Sequence, residues 1–385
     1  MKTRAAVVVG IGALVVIAGP AVRTAHARAA RAPVRVTLRW LEMLDPVHGY
    51  ALSGQNPDAY RLLQTSDGGR RWSDVTPGGG TIHPSGPITI LGRTTRLFST
   101  KLRHGVFTVE RSDDAGRSWH RSVPFRDGRG QGVGQPFAVD PRHLYVALDE
   151  GAAAGSQGQA LYTSNDGGHS WRFVSRTDVS GAHPQALPFG CDKSGFGFST
   201  PARGWAGGYC AGGGPFFYRT NDGGHTWSRR PLPGLSPCEC GTSAPRFFTP
   251  RVGVLSVIGF TMSANSKPLV RVYWTSDAGT HWRGTGLRAG RAAGPVSFAA
   301  ADIAWVAATP PGRIRGPFKR LFRTSDAGRH WQTHELPFDA GGYQLEPVNA
   351  TVAYALRAVG GSSSILVTTD GGRSWRTIHA VRART

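Results

Sequence analysis

Thr220-Asn-Asp-Gly-Gly-His-Thr-Trp227 is one of seven copies of the pattern Ser/Thr-x-Asp-x-Gly-x-x-Trp. The others run from Thr65 to Trp72, Ser112 to Trp119, Ser164 to Trp171, Thr275 to Trp282, Thr324 to Trp331 and Thr368 to Trp375. Successive copies start 44 to 56 residues apart. Four fixed positions recurring at near-even spacing mark a repeat architecture, and this period is that of a propeller blade.

The chemistry of the pattern is that of a hairpin turn. Its aspartates (Asp67, Asp114, Asp166, Asp222, Asp277, Asp326 and Asp370) can accept backbone N–H groups two or three residues on. Its glycine supplies a positive φ. The Ser/Thr hydroxyl ties the incoming strand to the loop. The tryptophans (Trp72, Trp119, Trp171, Trp227, Trp282, Trp331 and Trp375) are expected to begin the outgoing strand and to pack on a neighbouring unit.

Strand-like stretches precede most copies, such as Tyr60-Arg-Leu-Leu-Gln64 and Val270-Arg-Val-Tyr-Trp274. A second short apolar run lies further upstream, as in Gly204-Trp-Ala206, and a third opens the unit, as in Leu38-Arg-Trp-Leu-Glu-Met43. Each unit therefore holds four strands, a to d, with the repeated turn between c and d. The fold expected is all-β, a seven-bladed propeller of four-stranded antiparallel blades over residues 36–380. Composition agrees, because 53 Gly and 26 Pro among 385 residues are incompatible with a helical protein.

The repeat resembles the Asp-box, or bacterial neuraminidase repeat, over nearly the whole chain. Seven boxes, some preceded by a Gly-Trp/Tyr-Ala strand (Gly204-Trp-Ala206, Gly49-Tyr-Ala51), look most like the photosystem II assembly/stability factors. That resemblance implies a non-catalytic binding protein that uses no cofactor and acts as a scaffold or assembly factor. Sialidases share the box and supply the alternative, a carbohydrate-active or glycan-binding propeller. Their early Phe/Tyr-Arg-Ile-Pro motif is replaced here by Val34-Arg-Val-Thr37, which lacks the proline, and their rings have six blades. Loop acids that could serve a glycosidase are Asp58, Asp127, Asp149, Glu150, Asp178, Asp192, Glu239, Asp339 and Glu346; such chemistry needs a close pair.

At the N-terminus, Lys2 and Arg4 precede an apolar stretch from Ala5 to Gly19 and a small-x-small site at Ala25-His26-Ala27. This is the pattern of a secretory signal over residues 1–27, with an uncleaved anchor as the alternative; residues 28–35 read as a linker and 381–385 as a tail. An extracytoplasmic location follows. Of the 45 basic residues only five are Lys, and the formal charge is +21. In an exported chain that charge points to a membrane or extracytoplasmic protein, an acidic glycan or a wall polymer rather than to nucleic acid. A monomer is expected.

In such a blade the c–d turns share a face with the a–b turns, so the seven aspartates read as structural; the spacing of a calcium loop is absent. The b–c and blade-to-blade loops form the opposite face, where functional residues are expected. Arg103, Arg126, Arg129, Arg288, Arg291, Arg313 and Arg315 lie in these loops. Arginine grips carboxylates and phosphates through its planar fork, so these seven are the candidate binding residues. Cys191, Cys210, Cys238 and Cys240 belong to the same face and, in an exported chain, read as two disulfides. Either Cys191–Cys210 with Cys238–Cys240, or crossed pairings, are open. No metal is expected: the cysteine spacing lacks paired zinc knuckles, and His330 with His334 is the only close histidine pair considered. The chain runs from the innermost strand of blade 1 to the outermost strand of blade 7, so the ring closes without a shared blade unless residues 33–37 add a strand to blade 7.

Overall fold

The computed structural model describes residues 37–381 except 55–59, 83–88, 91–96, 133, 135, 212–213, 236–237, 260–269, 288–292, 311–315 and 360. The signal, linker and nearly all of the tail therefore lie outside the described residues, as do Asp58, Arg288, Arg291, Arg313 and Arg315. Residues 32–385 belong to one compact unit.

Seven antiparallel sheets follow one another along the chain, each built on a four-stranded meander, with an added two-residue strand in blade 2 (Phe125–Arg126) and in blade 5 (Arg246–Phe247). Blade 1 comprises Leu38–Met43, Gly49–Ser53, Arg61–Thr65 and Ser73–Asp74, and blade 7 comprises Tyr343–Pro347, Ala353–Val359, Ser362–Thr368 and Arg376–Val381. The described helix amounts to two 3₁₀ turns, Pro77–Gly79 and Ala340–Gly342. The protein is an all-β seven-bladed propeller. Each blade supplies its own four strands, so the first and last blades meet without sharing a sheet. Of residues 33–37 only Thr37 is described; it joins no strand, and its hydroxyl donates to the Gly361 carbonyl at 2.7 Å.

In every blade the Ser/Thr hydroxyl of the repeated turn donates to the Asp and accepts the amide of the pattern's glycine. In blade 4, Thr220 Oγ1 donates to Asp222 Oδ1 (2.7 Å) and accepts from the Gly224 amide (2.9 Å). Asp222 Oδ1 also accepts the Thr226 amide at 2.9 Å, and Oδ2 takes the Thr226 hydroxyl at 2.6 Å. The carboxylate captures the amide four residues on in every copy and in blades 1, 3 and 7 the amide three residues on as well, as with Arg70 and Arg71 on Asp67 (3.0 and 2.9 Å), one step beyond the expected positions. The residue after each Asp has positive φ and is Gly in four copies but Ala115, Ala278 and Ala327 in the others.

The tryptophan ends the turn rather than beginning the strand, which starts one residue later, as at Ser73 and Arg376. Each of these indoles packs on the preceding blade. Trp282 lies against Trp205 and Phe217 of blade 4, and Trp72 of blade 1 lies against Tyr354, Ile365 and Val367 of blade 7. The second glycine of the turn makes the same approach. A Cβ at Gly279 would overlap Trp205, one at Gly328 would overlap Trp274, and one at Gly372 would overlap Leu321. Gly69 faces Ile378 of blade 7 in the same way. The core is thus a ring of apolar interfaces between blades, each closed by the turn of the following unit.

Candidate functional site

Where blades 2 and 3 are described, the long-loop face is built of paired backbone. In blade 2, Leu97–Arg103 and Val106–Ser112 are joined by a tight turn at His104 and Gly105 (φ 49° and 73°). After its short outer strand His120–Arg121, the chain returns as Phe125–Arg126 and pairs with the same hairpin. Val106 is therefore flanked in register by Arg103 on one side and Arg126 on the other. Arg129 follows three residues later, and its amide donates to Asp127 Oδ1 at 2.9 Å. Arg103, Arg126 and Arg129 are all exposed, and their guanidinium groups have no partner among the described residues. Three of the seven sequence candidates thus converge on one corner.

Acidic groups lie beneath this corner rather than on it. The Asp127 side chain is fully buried; it accepts the Tyr162 hydroxyl at 3.1 Å and lies 3.6 Å from Arg176. Arg176 also pairs with Glu150 at 2.8 Å. Burial pushes the Glu150 carboxyl above its usual range; Arg176 opposes that shift and Asp127 adds to it. Burial, then the Asp127 charge, raises the Tyr162 hydroxyl. Phe125 packs between Phe107, Tyr162 and Trp171 at 5.0 to 6.1 Å and holds the returning strand down. The Arg176 guanidinium covers the half-exposed ring of Phe173 at 5.1 Å. The result is an exposed arginine corner over buried carboxyls that Arg176 compensates only in part, since Glu150 stays raised and also feels the Arg129 charge. Sequence reasoning missed Arg176, Tyr162 and Phe173 because they sit in strands; the one available signal was the length of the blade 3 outer strand, Arg172–Arg176.

The stretch 150–159 is mostly strand. Leu144–Ala153 and Ser156–Ser164 extend the blade 3 hairpin, turning at Ala154 and Gly155. Its tip region meets the start of blade 4, where Cys191 (φ 76°) makes a parallel bridge with Ser156. Strand a of blade 4 begins at Asp192, one residue after Cys191. Cys191 is joined to Cys210, and Cys238 to Cys240. Cys240 is not a loop residue: it opens the inner strand Cys240–Thr242 of blade 5. Buried Lys193 donates to the carbonyls of Gln157 (2.8 Å), Phe189 (2.7 Å), Gly190 (3.2 Å) and Cys191 (2.9 Å). Burial lowers its ammonium to about 8, which leaves it protonated at neutral pH with its hydrogens directed at those carbonyls. These disulfides indicate an oxidising, extracytoplasmic environment. No helix among the described residues is long and apolar enough to cross a membrane.

Other sequence candidates serve local structure. Asp178 accepts the Ser180 hydroxyl and the Ser180 and His183 amides, and Asp339 accepts the Phe318 and Gly341 amides. His330 Nδ1 pairs with Asp326 at 2.6 Å. Among the described residues no group of three His, Cys, Asp or Glu side chains is arranged to hold a metal ion. A central cavity of about 860 Å³ is lined by inner strands of all seven blades. Phe137, Phe196, Phe198 and Phe248 line one side, and Glu42 and Glu346 belong to the adjoining first and last blades.

No family model and no curated protein matches the chain. Solved structures do match it. YCF48 bound to a D1 peptide aligns at TM-score 0.52 and 16% identity, covering 88% of this chain and 93% of that one. An ancestral GH74 enzyme aligns at TM-score 0.53 and 12% identity over 91% of this chain and 47% of its own. An oligogalacturonate lyase in complex with manganese aligns at TM-score 0.57 and 10% identity, covering 86% and 87%. The class defined is a seven-bladed propeller. At these identities the particular activity is not inherited from any of the three, since one fold hosts binding proteins and enzymes alike.

Proposed function

We propose that this is an exported, non-catalytic propeller of the Asp-box type that holds an acidic segment of a protein partner at the corner between blades 2 and 3. In this reading residues 1–27 direct export and 36–380 are the working domain. The observation that carries the reading is the convergence of Arg103, Arg126 and Arg129, exposed and with guanidinium groups that make no hydrogen bond or ion pair among the described residues. An arginine cluster whose guanidinium groups make no hydrogen bond or ion pair of their own has its bidentate donors free for carboxylates of a partner. Packing of Phe125 and pairing of Arg126 with Val106 preorganise it. Arg288, Arg291, Arg313 and Arg315, outside the described residues, belong to the same proposal by their chemistry. That YCF48 has been seen with a bound peptide is in keeping with a protein partner.

The test is a crosslinking pull-down from the native cell envelope with the tagged mature protein, alongside the Arg126→Glu/Arg129→Glu variant. A stoichiometric protein captured by the parent and lost with the variant supports the proposal. Capture of an acidic glycan or wall polymer instead moves the assignment to a carbohydrate-binding propeller.

A further inference from the structure

We propose that Cys238–Cys240 is an exchangeable disulfide that accepts electrons from thiols of a partner protein, with Cys238 as the attacked sulfur and Cys240 as the leaving and resolving thiolate. This goes beyond the docking reading and does not depend on the arginines.

The two bridges differ in what they do for the fold. Cys191–Cys210 has a sequence separation of 19, whereas Cys238–Cys240 spans Glu239 alone, with a separation of 2. A bridge restricts the unfolded chain less as its loop shortens. The stability a disulfide confers is the difference between its resistance to reduction in the folded and in the unfolded chain, so opening the short bridge takes less stability from the fold. Cys191–Cys210 is further embedded: Cys191 bridges Ser156, its carbonyl accepts from Lys193, and Cys210 ends a strand paired to Gly214.

The two sulfurs of the short bridge also differ in access. Cys238 is partly exposed and precedes the strand. Cys240 is completely buried and paired in register with Gly259. Two residues on, Thr242 Oγ1 accepts the Gly208 amide at 2.9 Å and donates to the Phe216 carbonyl at 2.8 Å, which locks this strand to blade 4. An incoming thiolate therefore meets Cys238 Sγ, and Cys240 stays beside it after the bond breaks. The site opens on the long-loop side of the ring, because the Cys238 carbonyl lies against Gly214 at the blade 4 hairpin.

The exchange balances as follows. A partner thiolate attacks Cys238 Sγ, and the Cys238–Cys240 bond breaks with its electron pair on Cys240. A second partner thiolate attacks the partner's own sulfur in this mixed disulfide, and Cys238 leaves as thiolate. The partner is oxidised to a disulfide, the chain gains two electrons as a dithiol, and the protons lost by the partner are taken up by the two cysteines. A partner with one thiol gives only the mixed disulfide, which Cys240 resolves by attack on Cys238.

The test is equilibration of the folded protein in glutathione redox buffers, followed by acid quench, alkylation and mass spectrometry of each cysteine. The expected result is alkylation of Cys238 and Cys240 at a ratio of reduced glutathione squared to oxidised glutathione at least tenfold lower than that needed for Cys191 and Cys210, with the circular dichroism spectrum unchanged. Simultaneous opening of both bridges, earlier opening of Cys191–Cys210, or opening only with unfolding overturns the proposal. In a second arm, oxidised glutathione should form a mixed disulfide with Cys240→Ser and leave folded Cys238→Ser unmodified; the reverse pattern rejects the assigned order of attack. The wild-type titration decides the matter even if either variant fails to fold.

Discussion

Leu41 and Gln344, 303 positions apart in the chain, clasp one another across the closure of the ring. The Leu41 amide donates to Gln344 Oε1 at 3.0 Å, and Gln344 Nε2 returns a hydrogen bond to the Leu41 carbonyl. Leu38 donates to Ser363 Oγ at 3.0 Å, and Tyr354 donates to the Pro46 carbonyl at 2.8 Å. With no shared blade, this polar seam and the apolar cluster behind it hold the last blade to the first.

Replacing Gln344 by Leu keeps the bulk and strands the backbone groups of Leu41. We expect a loss of about 1–3 kcal/mol, the cost of buried polar groups left unpaired, read as a lower urea midpoint. Amide exchange should accelerate at Leu41 before it does in blades 3 to 5. Unchanged exchange there would show that the seam does not restrain the closure.

At Gly279 the turn combines a φ of 74° with direct apposition to Trp205. Gly279→Ala must therefore both enter the left-handed region and displace an indole, for roughly 3 kcal/mol or more. A midpoint within error of wild type would mean that the interface between blades 4 and 5 can open without cost.

The turn aspartates set an acid limit. Burial pushes the Asp166 and Asp277 carboxyls up, but hydrogen bonds from Ser170 and Ser164, and from His281 and Thr275, outweigh it and leave each at about 2 against the usual 3.8. Asp326, held first by the His330 amide, is also at about 2. Their contribution is complete above the unfolded value and is lost as pH falls from about 4 towards 2. Thermal midpoints should be level with respect to these groups above pH 5 and drop below pH 4. The drop should be smaller in Asp277→Asn; an identical drop would remove Asp277 from the account.

Arg126→Glu/Arg129→Glu should leave stability within about 0.5 kcal/mol, as expected for exposed substitutions. Affinity for an acidic peptide drawn from the captured partner should fall at least tenfold at low salt, and the salt dependence should flatten. Equal affinity at low salt would place the docking surface elsewhere.

Arg176→Met is the opposite experiment, because Arg176 compensates Asp127 and Glu150. Leaving buried carboxylates unpaired costs about 3–5 kcal/mol. Adding Asp127→Asn should recover part of the loss, as measured by denaturant midpoints. No recovery would separate Asp127 from the network.

The blade count and the position of the turn were legible because both follow from a period and from four residues close in sequence. What each turn touches was not. The overlap of Gly279 with Trp205 belongs to two different units, and a local pattern carries no record of its neighbour. Convergence of Arg103 with Arg126 was hidden for a similar reason, since the two-residue strand Phe125–Arg126 pairs with a hairpin some twenty positions back. Arg176 carries no local signal, because it lies in the strand Arg172–Arg176 and meets Asp127 and Glu150 only through the fold. Nothing local marks Cys240 as strand; its pairing with Gly259 across the sheet makes it so.

The seven turns all point the same way, each gripping the unit before it, and the grip of Gly69 and Trp72 on blade 7 repeats the one between every other neighbouring pair. The gap between first and last blade is therefore a property of chain order and not of the assembled ring. Opening the chain at another blade-to-blade connection and joining the present ends with a short linker would rearrange the sequence of synthesis while preserving each contact. Such circular permutants should reach the same ring and differ in the order in which its joints form.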